Sequence, residues 1–376
     1  MTCHTLLKGV SVSVCPRCQA RTLHYGSCNN PNCPECGWVK SEEWVEAQRD
    51  KLINAPACHI IFTLPDQFLN ELILSDRERI YNMILKAQAE ALKEISREPG
   101  FFGADKTGFT SCLHTWGSSL IYHVHVHTLF FCAGLDKEGQ LVKTSEKFVF
   151  PAKKLAGFFK AKLLKQLCRR YEYTGSPWLI DLYKAKKTKW NVEIRPVLNS
   201  AESIIRYFSR YVQRTAISNS RLLAYDGEYV SFRYKDYRDH GKMKVMKLKD
   251  TEFLRRFIQY IPPERFSRVR HYGFLSNNSR KELKHIKELT KTPEHVHRTK
   301  EEIMKELLGE KLLCRKCAAE TVTVRSRSPY PMSARGLRHV RGNMRFTTLI
   351  SKLDQSRPDR HRSVEPSMDM IRRQRE

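Results

Sequence analysis

Alternation and helical periodicity divide the chain into readable segments. "YHVHVHTLFF" (122–131) alternates, which places His123, His125, His127, Leu129 and Phe131 on one side of a strand. Tyr122, Val124, Val126, Thr128 and Phe130 face the other way. Both sides are apolar outside the histidines, and this predicts a central strand covered on both faces. "FTSCLHTWG" (109–117) predicts a second strand, joined to the first through a Gly-Ser turn. "HIIFTLP" (59–65) reads as a strand closed by Pro65. In "RERIYNMILKAQAEALKEI" (77–95), Ile80, Ile84, Ala87, Ala91 and Ile95 form one helical stripe. Further helices are predicted from about Ser41 to Leu52, after Pro151, and at "NSAESIIRYFSRYVQR" (199–214). In the last of these Asn199 and Glu202 form a capping-box pattern. "YVSFRYKDY" (229–237) reads as a strand. Beyond about residue 276 the chain is highly charged and helical in parts, and from Val324 onward it is rich in Arg, Ser and Pro and expected to be flexible.

Composition narrows the class. With 376 residues, 41% hydrophobic and 10% aromatic, the chain has room for two or three domains with a true core. Lys and Arg number 67 against 40 acidic residues, a net charge of +27, whose usual soluble partner is a polyanion. No long uncharged apolar run marks a membrane span. The first residues lack a signal-peptide pattern, so a cytoplasmic location, in association with DNA, is expected. The 12 cysteines are closely paired, which in a long intracellular chain favours metal over disulfides.

Cys15-x2-Cys18 and Cys33-x2-Cys36 have the spacing of a zinc ribbon, in which four thiolates hold one tetrahedral Zn²⁺ in a closed structural site. Cys3, Cys28, His4 and His24 are additional candidate ligands. Cys314-x2-Cys317 is a lone knuckle with no second pair in view. On the alternating strand, one histidine would be read as a half-buried hydrogen-bonding group. Three on one face are hard to explain as packing, because each buried imidazole needs a partner, so His123, His125 and His127 are expected to converge on a catalytic cation. His123, nearest the strand start, is the weakest member of the set.

In the predicted helix at 199–214, Tyr207 and Tyr211 lie one turn apart, between a core stripe (Ile204, Ile205, Phe208, Val212) and a basic stripe (Arg206, Arg210, Arg214). Alone this describes an ordinary amphipathic helix. With a metal-bearing strand it describes more: a phenol is a competent nucleophile, guanidinium groups bind DNA phosphate, and a cation polarises a scissile phosphodiester. No Walker-type loop is present, so no nucleotide cofactor is expected. Lys153, Lys154, Lys160, Lys162 and Lys165, or Lys184, Lys186, Lys187 and Lys189 beside Trp190, are further candidates for lining DNA.

These blocks, in this order, resemble the rolling-circle transposases of the two-tyrosine HUH type, the insertion-sequence family numbered ninety-one. HUH denotes histidine, bulky apolar residue, histidine. "SCNNPNCPECG" is similar to the family's zinc module, "HIIFTLP" and "LHTWGSSLIYHVHVH" to its first strand and HUH strand, and "YFSRYVQRTAIS" to its tyrosine block. "FRYKDYRD" and "EFLRRFIQYIPPERFSRVRHYGFL" are similar to its downstream blocks. The resemblance runs from about Cys3 to Leu275. It implies an α+β chain with an HUH endonuclease domain, a central antiparallel sheet flanked by helices. It implies His125 and His127 as the HUH pair, His123 as the preceding histidine, and Tyr207 and Tyr211 as nucleophiles that leave a 5′-phosphotyrosine and a free 3′-OH. Mg²⁺ or Mn²⁺ and single-stranded DNA at transposon ends and target are implied as cofactor and partner. Val124 stands where the family usually has proline. The expected organisation is a zinc-binding module over 1–45, the catalytic domain over 46–275 and a basic C-terminal region over 276–376. Three alternatives keep part of these features: a replication initiator or relaxase with the same chemistry, a non-catalytic zinc-ribbon DNA-binding protein, and a three-histidine zinc hydrolase.

Overall fold

The computed structural model describes residues 3, 8–28, 30, 33, 37–144, 150–195, 201–212, 215–299, 302–303, 306, 314, 316–317 and 322–324. Asn199, Arg214 and the stretch from 325 onward lie outside the described residues, as do the side chains of Glu202 and Arg210, and with them the expected capping box and flexible tail.

The chain begins with a hairpin of β1 (Val10–Val14) and β2 (Arg21–Tyr25), followed by α1 (Gly37–Arg49). β3 (Ala57–Thr63) runs into Pro65, which ends the strand and opens α2 (Asp66–Ser75). α3 (Arg77–Arg97) buries the expected stripe of Ile80, Ile84, Ala87, Ala91 and Ile95. β4 (Gly108–Trp116) and β5 (Tyr122–Phe131) follow, joined by the expected tight turn. In that turn Leu120 adopts φ +60°, and its side chain is buried in a neighbouring apolar cluster. The backbone amide of Lys235 donates to Ser118 Oγ at 2.7 Å and fixes the turn from outside.

A small hairpin of β6 (Ala133–Leu135) and β7 (Leu141–Lys143) precedes α4 (Ala152–Tyr171), α5 (Leu179–Lys187) and β8 (Asn191–Arg195). α6 (Ala201–Val212) is the tyrosine helix. β9 (Leu222–Tyr225), β10 (Tyr229–Asp236) and β11 (Lys242–Lys249) form a meander closed by α7 (Asp250–Gln259). β12 (Val269–Gly273), α8 (Arg280–Leu289) and β13 (Val322–Val324) complete the elements. The chain is therefore a mixed α+β fold with several antiparallel sheets flanked by helices.

The main sheet has the order β12-β4-β5-β3-β8, antiparallel throughout, so the histidine strand is its centre. One face carries Val124, Val126 and Phe130 with Ile60, Phe62, Phe109 and Leu113, and packs on the buried sides of α3 and α4. Within this apolar layer, Gln88 donates to Thr128 Oγ1 at 3.1 Å and accepts from Ser111 at 3.0 Å, so its polar groups are matched rather than stranded. The opposite face carries Cys112, Leu129 and Phe131 and is covered by Ile204, Ile205, Phe208 and Val212 of α6 and Val45 of α1. The expected core stripe of the tyrosine helix is thus the buried one, and it seats that helix over the histidines. Trp190, expected as a stacking surface beside lysines, is buried instead, and its indole N–H donates to Ala185 O at 3.1 Å.

Described residues beyond α8 return to the beginning of the chain. Glu46 on α1 accepts His295 Nε2 at 2.7 Å, the backbone amide of Arg298 at 2.9 Å and Arg298 Nε at 2.8 Å. β13 adds to β1 in antiparallel register, Val12 opposite Val324 and Val14 opposite Val322.

Candidate metal and tyrosine site on the central sheet

Antiparallel register decides which histidines meet. His125 on β5 lies opposite His114 on β4, and His127 opposite Cys112. Directly opposed residues share a face, so β4 adds an imidazole to the β5 row. The ligand nitrogens of His114, His125 and His127 all lie within 4.8 Å of one another. His114 and His127 are buried and His125 half-buried.

The outer ring atoms support this convergence. His125 Nδ1 sits 3.0 Å from the carbonyl oxygen of His123, which selects the tautomer with its lone pair on Nε2. His114 Nε2 sits 2.5 Å from Tyr211 O, selecting the tautomer with its lone pair on Nδ1. A carbonyl oxygen accepts only, so both rings are held in one orientation with the other nitrogen turned to the cluster. Such a set fits a divalent cation and leaves coordination positions for oxygen ligands. His123 is not in the cluster. Its Nδ1 pairs with Asp66 at the start of α2. His114 lies in the cluster beside His125 and His127.

A further histidine links the cluster to the tyrosines. His59 on β3 lies opposite Leu129 and is fully buried. Its Nε2 is 2.9 Å from His127 Nδ1, and its Nδ1 is 3.0 Å from Tyr207 Oη. Burial pulls His59 down to about 4, helped by the charge of Arg195 and opposed by Glu193, so its imidazole is neutral near pH 7. Tyr211 Oη donates to Tyr207 Oη at 3.1 Å, and the Tyr211 ring lies 4.3 Å from that of His127 and 4.8 Å from that of His59. The phenol of Tyr207 therefore lies between His59 and the second tyrosine, and reaches His127 only through His59. Arg195 on β8 pairs with Glu193 at 2.6 and 2.9 Å; that pairing raises its already high pKa, and Tyr207 contributes further.

Of the expected basic stripe, Arg206 is exposed and pairs with Glu42 of α1 at 3.3 Å. The Arg210 side chain and all of Arg214 fall outside the described residues.

The cysteines divide differently from the expected ribbon. Cys15 and Cys18 gather with Cys314 and Cys317, and Cys33 gathers with Cys3 and Cys28. Cys36 lies outside the described residues. Cys33 thus stands in a separate thiol cluster from Cys15 and Cys18, and the C-terminal knuckle finds its second pair about 300 residues away.

Comparison with known proteins places the chain in a family. Residues 108–282, from β4 into α8, match the family model described as "Putative transposase", and residues 1–64 match the one described as "Transposase zinc-binding domain". The chain is 32% identical over 294 residues to the "Putative transposase y4qJ" of Sinorhizobium fredii (strain NBRC 101917 / NGR234), covering 74% of this chain and 73% of that protein. It is 27% identical over 295 residues to the "Transposase for insertion sequence element IS801" of Pseudomonas savastanoi pv. phaseolicola, covering 74% and 68%. No solved structure matches. Among the described residues, no helix is long and apolar enough to cross a membrane. With a histidine cluster, two adjacent phenols and a cysteine-rich start in one chain, and with these relatives, the chain belongs to the HUH-type rolling-circle transposases related to the IS91 and IS801 elements, which carry an N-terminal zinc-binding domain.

Proposed function

We propose that this transposase cleaves and rejoins single-stranded DNA at element ends and target, with Tyr207 as the first nucleophile and Tyr211 as the second. The observation that carries the order is the hydrogen-bond environment of Tyr207 Oη, which accepts from Tyr211 Oη at 3.1 Å and lies 3.0 Å from His59 Nδ1. These two contacts hold that oxygen in one place, ready for attack on phosphorus. When His127 turns Nε2 to the cluster, its Nδ1–H donates to His59 Nε2, and His59 then donates through Nδ1–H to Tyr207. The Tyr207 proton leaves to water, the phenolate oxygen bonds to phosphorus, and the bond from phosphorus to the 3′ oxygen breaks. That oxygen takes a proton from water, which leaves a 5′-phosphotyrosine and a free 3′-OH. The exchange of one phosphoester for another needs no nucleotide cofactor.

His114, His125 and His127 would hold the divalent cation, which supplies positive charge to the phosphate oxygens. Imidazoles suit Mn²⁺ better than Mg²⁺, which prefers oxygen ligands. Zn²⁺ belongs to the cysteines. On this reading residues 46–275 carry the chemistry as an HUH endonuclease domain, residues 1–45 bind zinc, and residues 276–376 form the charged C-terminal region. Arg206, with Arg210 and Arg214 of the same stripe, would contact DNA phosphate. Incubating the full chain with single-stranded terminal DNA tests the metal assignment. Cleavage is expected with Mn²⁺, lost with chelator, and lost in His114→Ala and His125→Ala with DNA binding retained. Cleavage that survives chelation and both substitutions would overturn it.

A further inference from the structure

The C-terminal knuckle has a partner that local sequence does not announce. Cys15 Sγ lies 3.5 Å from Cys317 Sγ, Cys18 Sγ lies 3.4 Å from Cys314 Sγ, and all four sulfurs fall within 4.8 Å of one another. A tetrahedral Zn²⁺ with bonds of about 2.3 Å to sulfur requires sulfurs about 3.8 Å apart, so the four need only small adjustments. A disulfide would hold two sulfurs at about 2.05 Å and pair them off, whereas here four converge. Each pair sits on its own turn. Gln19, just after the first, has φ +56° and donates its amide to Cys15 O at 2.9 Å, while the amide of Lys316 lies 3.4 Å from Cys314 Sγ within the second. The pairing of β13 with β1 brings the chain beyond Cys317 directly alongside the strand that leads into Cys15.

We infer that Cys15, Cys18, Cys314 and Cys317 form a tetrathiolate zinc site shared between the two ends of the chain, distinct from an ion held by Cys3, Cys28 and Cys33. The metal then acts as a clasp. A two-stranded hairpin is marginal alone, and β13 makes it three-stranded. The returning segment also grips Glu46 on α1, and α1 contacts the tyrosine helix through Trp44 against Phe208, with ring centroids 6.5 Å apart, and through Glu42 against Arg206. Zinc at the clasp holds the C-terminal segment to the helix that buttresses Tyr207 and Tyr211. Zinc binding at these four cysteines does not depend on the cleavage chemistry and is measured without DNA.

Zinc content of the full chain, purified under reducing conditions, tests it through variants. Cys15→Ser/Cys18→Ser and Cys314→Ser/Cys317→Ser are each expected to lose about one equivalent per chain, the fourfold variant no more than either pair, and Cys33→Ser a separate, additive amount. Full retention of zinc in Cys314→Ser/Cys317→Ser, or losses by the two pairs that add, would overturn the shared site. Differential alkylation of the wild-type chain covers variants that do not fold. Cys314 and Cys317 should be shielded with zinc bound and become reactive together with Cys15 and Cys18 on chelation. Reactivity of Cys314 and Cys317 that is indifferent to chelation contradicts the clasp.

Discussion

Replacing His59 with phenylalanine tests whether it links the histidine cluster to Tyr207, the proposed nucleophile. Phenylalanine keeps a ring where His59 is packed against Phe208 at 6.3 Å and Tyr211 at 4.8 Å, and removes both ring nitrogens. The loss is the 3.0 Å contact to Tyr207 Oη and the 2.9 Å contact that orients His127. A hydrogen bond to a charged oxygen contributes about 1.5–3 kcal/mol, and each 1.36 kcal/mol changes a rate by about tenfold. The rate of covalent protein–DNA adduct formation should therefore fall about 10- to 150-fold, with Tyr211 still donating to Tyr207. His59→Asn returns an N–H close to the lost Nδ1 and should recover part of the rate. The assay is single-turnover adduct formation on a single-stranded oligonucleotide at saturating Mn²⁺, so that altered metal affinity does not intrude, with thermal unfolding as a check on integrity. A His59→Phe rate within about twofold of wild type would refute the relay, since it would mean that the contact contributes well under 1 kcal/mol.

Other consequences concern stability and acid. Burial pushes the Glu46 carboxyl up, but hydrogen bonds from the Arg298 backbone, His295 and the Arg298 side chain outweigh it and hold the group at about 2, below its ordinary 4.5. A depressed carboxylate contributes stability that is present above pH 4.5 and lost as pH falls toward 2, on the order of 3 kcal/mol. Glu46→Gln should flatten that part of the stability–pH curve measured by denaturant unfolding, and an unchanged curve would contradict the assignment. Phe208 is fully buried between α1 and the sheet, so Phe208→Ala should cost about 3–5 kcal/mol, read as a lower urea midpoint. Ile258→Ala on the exposed side of α7, where the residue is 60% exposed, should shift that midpoint by less than about 0.5 kcal/mol.

What the sequence disclosed follows the range of the interactions involved. The face shared by His125 and His127 is legible because side-chain alternation is local, and the buried stripe of the tyrosine helix is legible for the same reason. His114 is not, because its place depends on the register between β4 and β5, which a turn of several residues and an irregularity between His114 and Trp116 set together. "HIIFTLP" opens on His59, yet nothing within that segment says that Leu129 will stand opposite it or that a tyrosine helix will lie above. His123 has the right spacing but is drawn to Asp66. The cysteine knuckles show the same division: each C-x2-C is a local signal, while the choice of partner is a long-range contact. Trp190 stands among lysines in sequence, but its ring packs on Phe159 at 5.4 Å inside the core.

The most direct test of the central claim is to capture the covalent intermediate and find the residue that carries it. The full chain is incubated with single-stranded terminal DNA and Mn²⁺, digested, and the phosphotyrosyl peptide is identified by mass spectrometry in wild type, Tyr207→Phe and Tyr211→Phe. The account predicts DNA on Tyr207 in wild type and in Tyr211→Phe, with the first adduct lost in Tyr207→Phe. An adduct that persists unchanged when both tyrosines are replaced, or a first adduct carried by Tyr211 while Tyr207→Phe cleaves normally, would contradict it.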